Sequence, residues 1–241
     1  MPTLMTHIVT GYPDLPTSEK IAETLIKSGT DFLELQIPFR DPIADGPVIS
    51  EANQTSLDNG TTLEDSFSLL SRLRKKTKIP LFFMTYYNVP FVYGIEKFMS
   101  RASQVGVRGL IVPDIPFDSV DSDFFHHTAE KNNLSLIPVV SPQTPNSRLK
   151  IIAKKKSPLW YAVSGAGITG SAQEFNEKTA AYITRLRKFF TGKIALGFGV
   201  SSAEDIEKVS EMADVVVVGS QIIRLFQSGG IDEVEKFFSN L

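Results

Sequence analysis

Glu34 lies in the run Phe32-Leu-Glu-Leu-Gln-Ile37, and Asp41 and Asp45 follow in the loop Pro38-Phe-Arg-Asp-Pro-Ile-Ala-Asp-Gly-Pro47. Side chains alternate along an extended strand. Leu33, Leu35 and Ile37 then share an apolar face, and Phe32, Glu34 and Gln36 share the other. An unpaired carboxylate aimed into an apolar interior is costly, and such groups concentrate at functional sites. The plainer alternative is a buried Glu satisfied by hydrogen bonds. Asp before Pro or Gly is also ordinary turn chemistry. A loop folded back over Glu34 would nevertheless bring it a second carboxylate, and two carboxylates in different environments make an acid/base pair.

A second group of residues is suited to an anion. Gly165-Ala-Gly167-Ile-Thr-Gly170 matches G-x-G-x-x-G, Gly197-Phe198-Gly199 follows a later apolar run, and Gly219-Ser220 follows the last one. Glycines let backbone N–H groups approach phosphate oxygens, and a helix N-terminus favours negative charge. The dinucleotide reading of the first motif fails. That fold needs the motif after its first strand and an acid at the end of the next strand, whereas Ile194-Ala-Leu-Gly197 ends without one. A mobile glycine-rich loop is the expectation there. Tyr86, Tyr87 and Asn88 end an apolar run and are placed to line a pocket. His126 and His127 are expected to face solvent from mid-helix, Lys154-Lys-Lys156 to be a solvated helix end, and Trp160 to be core.

These residues need a scaffold that gathers strand ends. Short apolar runs recur at Met5–Val9, Phe32–Ile37, Leu81–Thr85, Gly109–Val112, Leu134–Val139, Leu159–Val163, Ile194–Leu196 and Val215–Val218. Most are continuous, as in parallel strands covered on both faces. Helical periodicity fills the gaps at Ser18–Ser28, Thr62–Lys75, Ile95–Gln104, Asp121–Asn132, Ser147–Lys155, Ala181–Phe190, Ala203–Glu211 and Ile231–Phe238, with a further short helix over Ser220–Phe226. Strand-helix repetition over 241 residues predicts an α/β fold, a single (β/α)₈ TIM barrel domain spanning residues 1–241. A doubly wound open sheet is the competitor. In the barrel, catalytic groups sit at the C-terminal ends of the strands, and the loops after strands seven and eight commonly hold phosphate.

Composition narrows the function. Lys plus Arg is 25 against Asp plus Glu 27, which argues against binding nucleic acid or membrane by bulk charge. The chain has no cysteine, so disulfides, thiolate metal sites and cysteine nucleophiles are excluded. No metal-ligand spacing is present, no apolar run approaches a membrane span, and the start MPTLMTHIVT lacks a signal-peptide pattern. A cytoplasmic protein is the expectation.

The segment Glu34–Pro47 closely resembles the signature of the tryptophan synthase alpha chain family. Val9-Thr-Gly-Tyr-Pro-Asp14, Met84-Thr-Tyr-Tyr-Asn88, Val112-Pro-Asp-Ile-Pro116, Gly167-Ile-Thr-Gly170, Gly197-Phe-Gly199 and Gly219-Ser220 agree in order, so the resemblance runs along the whole chain. It implies retro-aldol cleavage of indole-3-glycerol phosphate to indole and glyceraldehyde 3-phosphate in tryptophan biosynthesis. By resemblance Glu34 is the general acid/base, Asp45 bonds the indole N–H, and Thr169 orders the glycine loop over the site. His7, Gln36, Tyr86 and Tyr161 would surround the substrate, and Gly170, Gly197, Phe198, Gly199, Gly219 and Ser220 its phosphate. The resemblance also implies an alpha-beta-beta-alpha assembly. Asp41, Pro42, Asn88 and Pro116 would be on the docking side. It implies no cofactor in this chain, with pyridoxal phosphate in the beta chain.

Three positions depart from the family pattern. Gln36 replaces a glycine on the interior face of Glu34, Arg40 replaces a serine in the Asp41–Asp45 loop, and His7 replaces an apolar aromatic against the indole. The chain also begins almost at its first strand, which predicts a barrel without the family's extra N-terminal helix. These departures support a second reading, an impaired alpha chain kept mainly to bind and activate the beta chain. On that reading Gln36 crowds the pocket, and Arg40 would weaken Glu34 as an acid if it reached it. A third reading is another phosphate-handling barrel, such as a sugar-phosphate isomerase.

Overall fold

Apolar runs such as Val215-Val-Val-Val218 become parallel strands in a computed structural model that describes residues 2–117, 119–163, 176–197 and 199–241. The strands are β1 (Leu4–Val9), β2 (Phe32–Gln36), β3 (Leu81–Met84), β4 (Gly109–Ile111), β5 (Ser135–Ile137), β6 (Val139–Val140), β7 (Leu159–Val163), β8 (Lys193–Gly197) and β9 (Val215–Val218). Every pairing is parallel, in the order β5-β4-β3-β2-β1-β9-β8-β7-β6. The two ends of that order, β5 and β6, are consecutive in the chain and flank Pro138. They are one barrel strand bent at a residue with no N–H for the ladder. Its first half pairs β4 and its second half pairs β7, while the Pro138 carbonyl accepts from Tyr161 N at 2.9 Å. The sheet therefore closes into a TIM barrel, and the open doubly wound sheet is excluded.

The helices are α1 (Leu15–Lys27), α2 (Pro47–Asp58), α3 (Leu63–Lys76), α4 (Asn88–Tyr93), α5 (Ile95–Val105), α6 (Val120–Lys131), α7 (Asn146–Ile152), α8 (Glu177–Arg187), α9 (Ala203–Ser210) and α10 (Ser220–Ser239). Local chemistry sets many of their starts. The Asp14 side chain caps α1, and Thr62 with Asp65, and Ser202 with Asp205, form reciprocal capping boxes for α3 and α9. Gly229 and Gly230 leave helical geometry inside α10, so it is two helices joined at a kink, in agreement with the separate expectations Ser220–Phe226 and Ile231–Phe238. The predicted helix Ser18–Ser28 starts earlier, at Leu15 under the Asp14 cap.

Two cores follow from the alternation of side chains. Leu33, Leu35 and Ile37 pack outward against helices with Ile21, Leu25, Phe67 and Leu70. Met5, Phe82, Met84, Tyr86, Ile111, Ile137, Leu159, Tyr161, Val215 and Val217 fill the barrel, with Phe32 packed against them. The phase predicted for β2 holds along its length. Trp160 is fully buried in the outer core and stacks on Phe190 with centroids 4.6 Å apart. His127 is exposed as expected, but His126 is not: it is buried, with its ring 4.6 Å from that of Phe117. It sits on the α6 face with Phe125, Ser122 and Ala129, which packs inward.

Candidate active site

β2 points Glu34 and Gln36 into the barrel, where they are 2% and 0% exposed. The β1–β2 register sets His7 beside Glu34. His7 Nδ1 lies 3.1 Å from Glu34 Oε1. This pairing fixes the charge environment of both side chains. Burial by itself would push the His7 imidazole down, but the adjoining Glu34 carboxylate, by charge and hydrogen bond, together with Asp45 and Gln36, more than offsets it. The net direction is up from 6.5.

The loop after β2 delivers the second carboxylate. Asp45 N donates to Pro42 O at 2.9 Å, a turn that brings its side chain inward before α2 begins at Pro47. Asp45 Oδ2 accepts from Gln36 Nε2 at 2.6 Å and from the Tyr86 hydroxyl at 3.0 Å. The same hydroxyl accepts from Ala44 N at 3.1 Å, and Phe39 stacks on the Tyr86 ring at 5.2 Å. Desolvation raises the Asp45 pKa, although the bonds from Gln36 and Tyr86 oppose that. Burial and the neighbouring Asp45 likewise push the Tyr86 hydroxyl up, so it stays a donor. Asp41 is exposed, and its side chain has no such contact among the described residues.

Asn53 of α2 locks this arrangement. Its amide donates to Ile49 O at 2.8 Å; its Oδ1 accepts from Phe39 N at 3.0 Å and from Gln36 Nε2 at 3.4 Å. The sequence reading missed both α2 and Asn53. A signal existed: Ile49, Ala52, Asn53 and Ser56 follow a helical spacing and are all buried, which places two polar groups on an inward face.

The remaining predicted residues close the top of the barrel. Tyr161 of β7 is buried opposite, with its hydroxyl pushed well up by desolvation and by the charges of Glu34 and Asp45. Gly197 lies against it: a Cβ there would stand 3.0 Å from the Tyr161 hydroxyl and 3.1 Å from Val217 Cβ. Gly219 lies beside His7, with no side chain between them, and Gly199 has φ +93°. Ser220 opens α10 with no side-chain cap before it, while Ile222 N donates to Gly219 O at 2.9 Å; the N-terminus of that helix favours an anion. Thr169, Gly170 and Phe198 lie outside the described residues, as does the Gly165–Gly170 loop.

The predicted docking residues share the same end of the barrel. Asp41, Asn88 and Pro116 are exposed and Pro42 is half-buried. Around them Ile43, Phe91, Val92 and Val120 are exposed apolar side chains. Tyr87 N donates to both oxygens of Asp114, at 2.9 and 3.0 Å, which ties the loops after β3 and β4 together.

The departures from the pattern take definite places. Gln36 lies on the interior face with Glu34, and its amide donates to Asp45 and Asn53. Arg40 is exposed, and the ion-pair partner of Glu34 is His7. What is left over is informative. Glu34 Oε2, His7 Nε2 and Gln36 Oε1 are buried and have no hydrogen-bond partner among the described residues. Buried polar atoms are almost always satisfied. Three on adjacent strand ends mark a place built for a polar ligand. Among the described residues no group of acidic or histidine side chains is arranged to hold a metal.

Comparison with known proteins agrees with this geometry. A family model described as tryptophan synthase alpha chain matches residues 1–239. The tryptophan synthase alpha chain of Desulforapulum autotrophicum is 41% identical over 238 residues, which span 99% of this chain and 93% of that one. The one from Campylobacter jejuni is 37% identical over 230 residues, 95% of this chain and 91% of that one. Among solved structures, Mycobacterium tuberculosis tryptophan synthase superposes with a TM-score of 0.91 at 26% identity, covering 100% of this chain and 91% of that one. The tryptophan synthase complex of Pyrococcus furiosus superposes at 0.88 with 29% identity, covering 99% and 95%.

Proposed function

The chain belongs to the tryptophan synthase alpha chain family, and from that premise we propose how its residues carry the reaction. The enzyme is a lyase that cleaves indole-3-glycerol phosphate to indole and glyceraldehyde 3-phosphate. A retro-aldol step of this kind needs a positioned acid, a counter-charge and a dry pocket. Glu34 supplies the acid: it protonates the indole carbon that bears the glycerol chain. Asp45 supplies the counter-charge. Gln36 and Tyr86 occupy its Oδ2, leaving Oδ1 to accept the indole N–H and stabilise the cation that develops in the ring. Tyr161, His7 and Tyr86 wall the indole, and a role for Thr169 rests on the family resemblance alone. Gly219 and Ser220 hold the phosphate at the start of α10, and Gly197 and Gly199 line it from the end of β8 and the loop after it; Gly170 and Phe198 are assigned to it by the family resemblance alone. The group of unpartnered buried atoms at Glu34, His7 and Gln36 is the observation that carries this reading.

The impaired-subunit reading is not favoured. Arg40 is exposed whereas Glu34 is buried, and the Gln36 amide is bonded to Asp45 and Asn53, a positioning role within the site. A beta chain is the family partner, and we infer that the exposed edge around Asp41, Pro42, Asn88 and Pro116 meets it in an alpha-beta-beta-alpha assembly. Pyridoxal phosphate belongs to that partner, and this chain works without a cofactor of its own. Among the described residues no helix is long and apolar enough to cross a membrane. We read residues 1–241 as one barrel domain acting in the cytoplasm.

The test is indole release from indole-3-glycerol phosphate by the chain mixed with its beta partner. Glu34→Gln is expected to lower kcat by about 10²–10⁴-fold, the usual range for general acid/base catalysis. Equal rates for the two proteins would sink the assignment of Glu34.

A further inference from the structure

His7 and Glu34 sit on neighbouring strands, at paired positions in the register, with Nδ1 3.1 Å from Oε1. Both side chains are buried, and each has a second polar atom without a partner among the described residues, Nε2 and Oε2. A histidine that served only as an apolar wall for indole would not need its ring nitrogen turned onto the acid. We propose that His7 is a positioning residue for the lyase reaction that shares one proton with Glu34, so that the acid is a histidine–glutamate pair and not a lone carboxyl group. This rests on the functional reading above and deepens it.

The chemistry balances within the pair. In the resting state one dissociable proton is held between Nδ1 and Oε1. As the substrate reacts, that proton moves onto the carboxylate, and the Glu34 carboxyl gives a proton to the indole carbon, forming its C–H bond. The bond from that carbon to the glycerol chain then breaks, and its electron pair returns to the indole ring. The glycerol hydroxyl becomes the aldehyde carbonyl, and its proton returns to the pair. One proton leaves and one comes back, with no co-reactant.

The surroundings of His7 set how the pair titrates. Glu34 faces it from β2 and Asp45 from the following loop; both charges favour the protonated ring. Tyr161 of β7 and Tyr86 after β3 are neutral donors with pKa values pushed up. Val217 of β9 and Gly219 carry no charge. Two groups this close lose their protons in steps that belong to the pair. The neighbouring carboxylates hold the His7 proton to higher pH than a free imidazole would keep it, so a proton for transfer through Glu34 is still present near neutral pH.

The experiment combines rates and titration. The pH profile of kcat/KM is measured for wild type, His7→Phe and His7→Asn, and the three histidines are followed by NMR in wild type and Glu34→Gln. In His7→Phe the alkaline limb is expected to move at least one unit toward acid, with kcat reduced about tenfold at the alkaline end and KM within a factor of about three. His7→Asn keeps a donor for Glu34 but holds no proton, so it should resemble His7→Phe. The His7 resonance should titrate above 6.5 in wild type and drop in Glu34→Gln. An unmoved limb in His7→Phe, a wild-type profile in His7→Asn, or a His7 titration indifferent to Glu34→Gln would each overturn the shared proton. The NMR arm decides even where a variant does not fold. Wild-type protein that releases no indole would instead overturn the lyase reading itself, a distinguishable result.

Discussion

Gln36 makes a short bond to a carboxylate whose pKa burial pushes up. A hydrogen bond to a charged group contributes about 1.5–3 kcal/mol, and its loss leaves the partner under-satisfied. Restoring the family glycine at this position should therefore harm the enzyme. Gln36→Gly is expected to lower kcat/KM by about tenfold or more, because Asp45 loses its tether. It should also lower stability by about 2–4 kcal/mol, since the buried bond to Asp45 is lost and glycine weakens a strand. Indole-release kinetics and urea unfolding check both numbers. A faster Gln36→Gly enzyme would show that the side chain crowds the indole after all. In contrast to Gln36, the His7–Glu34 contact was not legible in the sequence. Alternation alone put Glu34 and Gln36 inside, but which residue of β1 meets Glu34 depends on strand register, and no local pattern states it.

Among the elements, α2 shows where sequence reading fails and why it matters. Its segment Pro47-Val-Ile-Ser-Glu-Ala-Asn-Gln-Thr-Ser-Leu-Asp58 is polar on most positions, so apolar periodicity barely registers. Tertiary contacts hold it: Ile49 and Ala52 pack with Val9 and Ile223, and Asn53 closes the catalytic loop. The barrel strand bent at Pro138 read as one strand because its two halves are continuous in sequence and only their partners differ. Helix α6 was recognised, but its inward face was not, since a histidine among apolar residues looks solvated. Its burial has a measurable effect. His126 is pulled down to about 4, first by desolvation and then by Lys155, with Asp123 opposing. The folded state thus prefers the neutral ring, while the unfolded chain protonates it near 6.5. This contribution is fully present above pH 6.5 and is lost as pH falls toward 4. At pH 5 it removes about 2 kcal/mol of stability relative to pH 7.5. His126→Leu should lack that acid sensitivity, so urea midpoints at the two pH values should differ less than in wild type. An equal pH dependence in both proteins would contradict a neutral buried His126.

Across the whole molecule, apolar surface is concentrated where the β2, β3 and β4 strands end. Ile43 is 75% exposed, Phe91 61%, Val92 76% and Val120 86%. Isolated exposed apolar residues are ordinary, but several on adjoining segments, the loop after β2, α4 and the start of α6, are consistent with the docking face proposed above; the Tyr87–Asp114 bonds tie the last two segments together. The same loops carry Asp45 and Tyr86 on their inner side. One segment, Ile37 to Pro47, therefore has the buried Asp45 carboxylate facing in and Ile43 facing out, so on the proposed assignment a partner pressing on the outer side alters the geometry of Asp45 directly. Phe91→Asp combined with Val92→Asp should leave the thermal midpoint within a few degrees of wild type, because neither side chain is in the core. It should weaken binding of the beta chain by more than tenfold, since charges placed in a desolvated interface are costly. Ile151→Asp, on an exposed position of α7, is the control and should bind normally. Calorimetric titration with the beta chain measures all three. If the double variant binds as wild type does, the docking face lies elsewhere on the barrel, and the coupling of Asp45 to the partner through this loop falls with it.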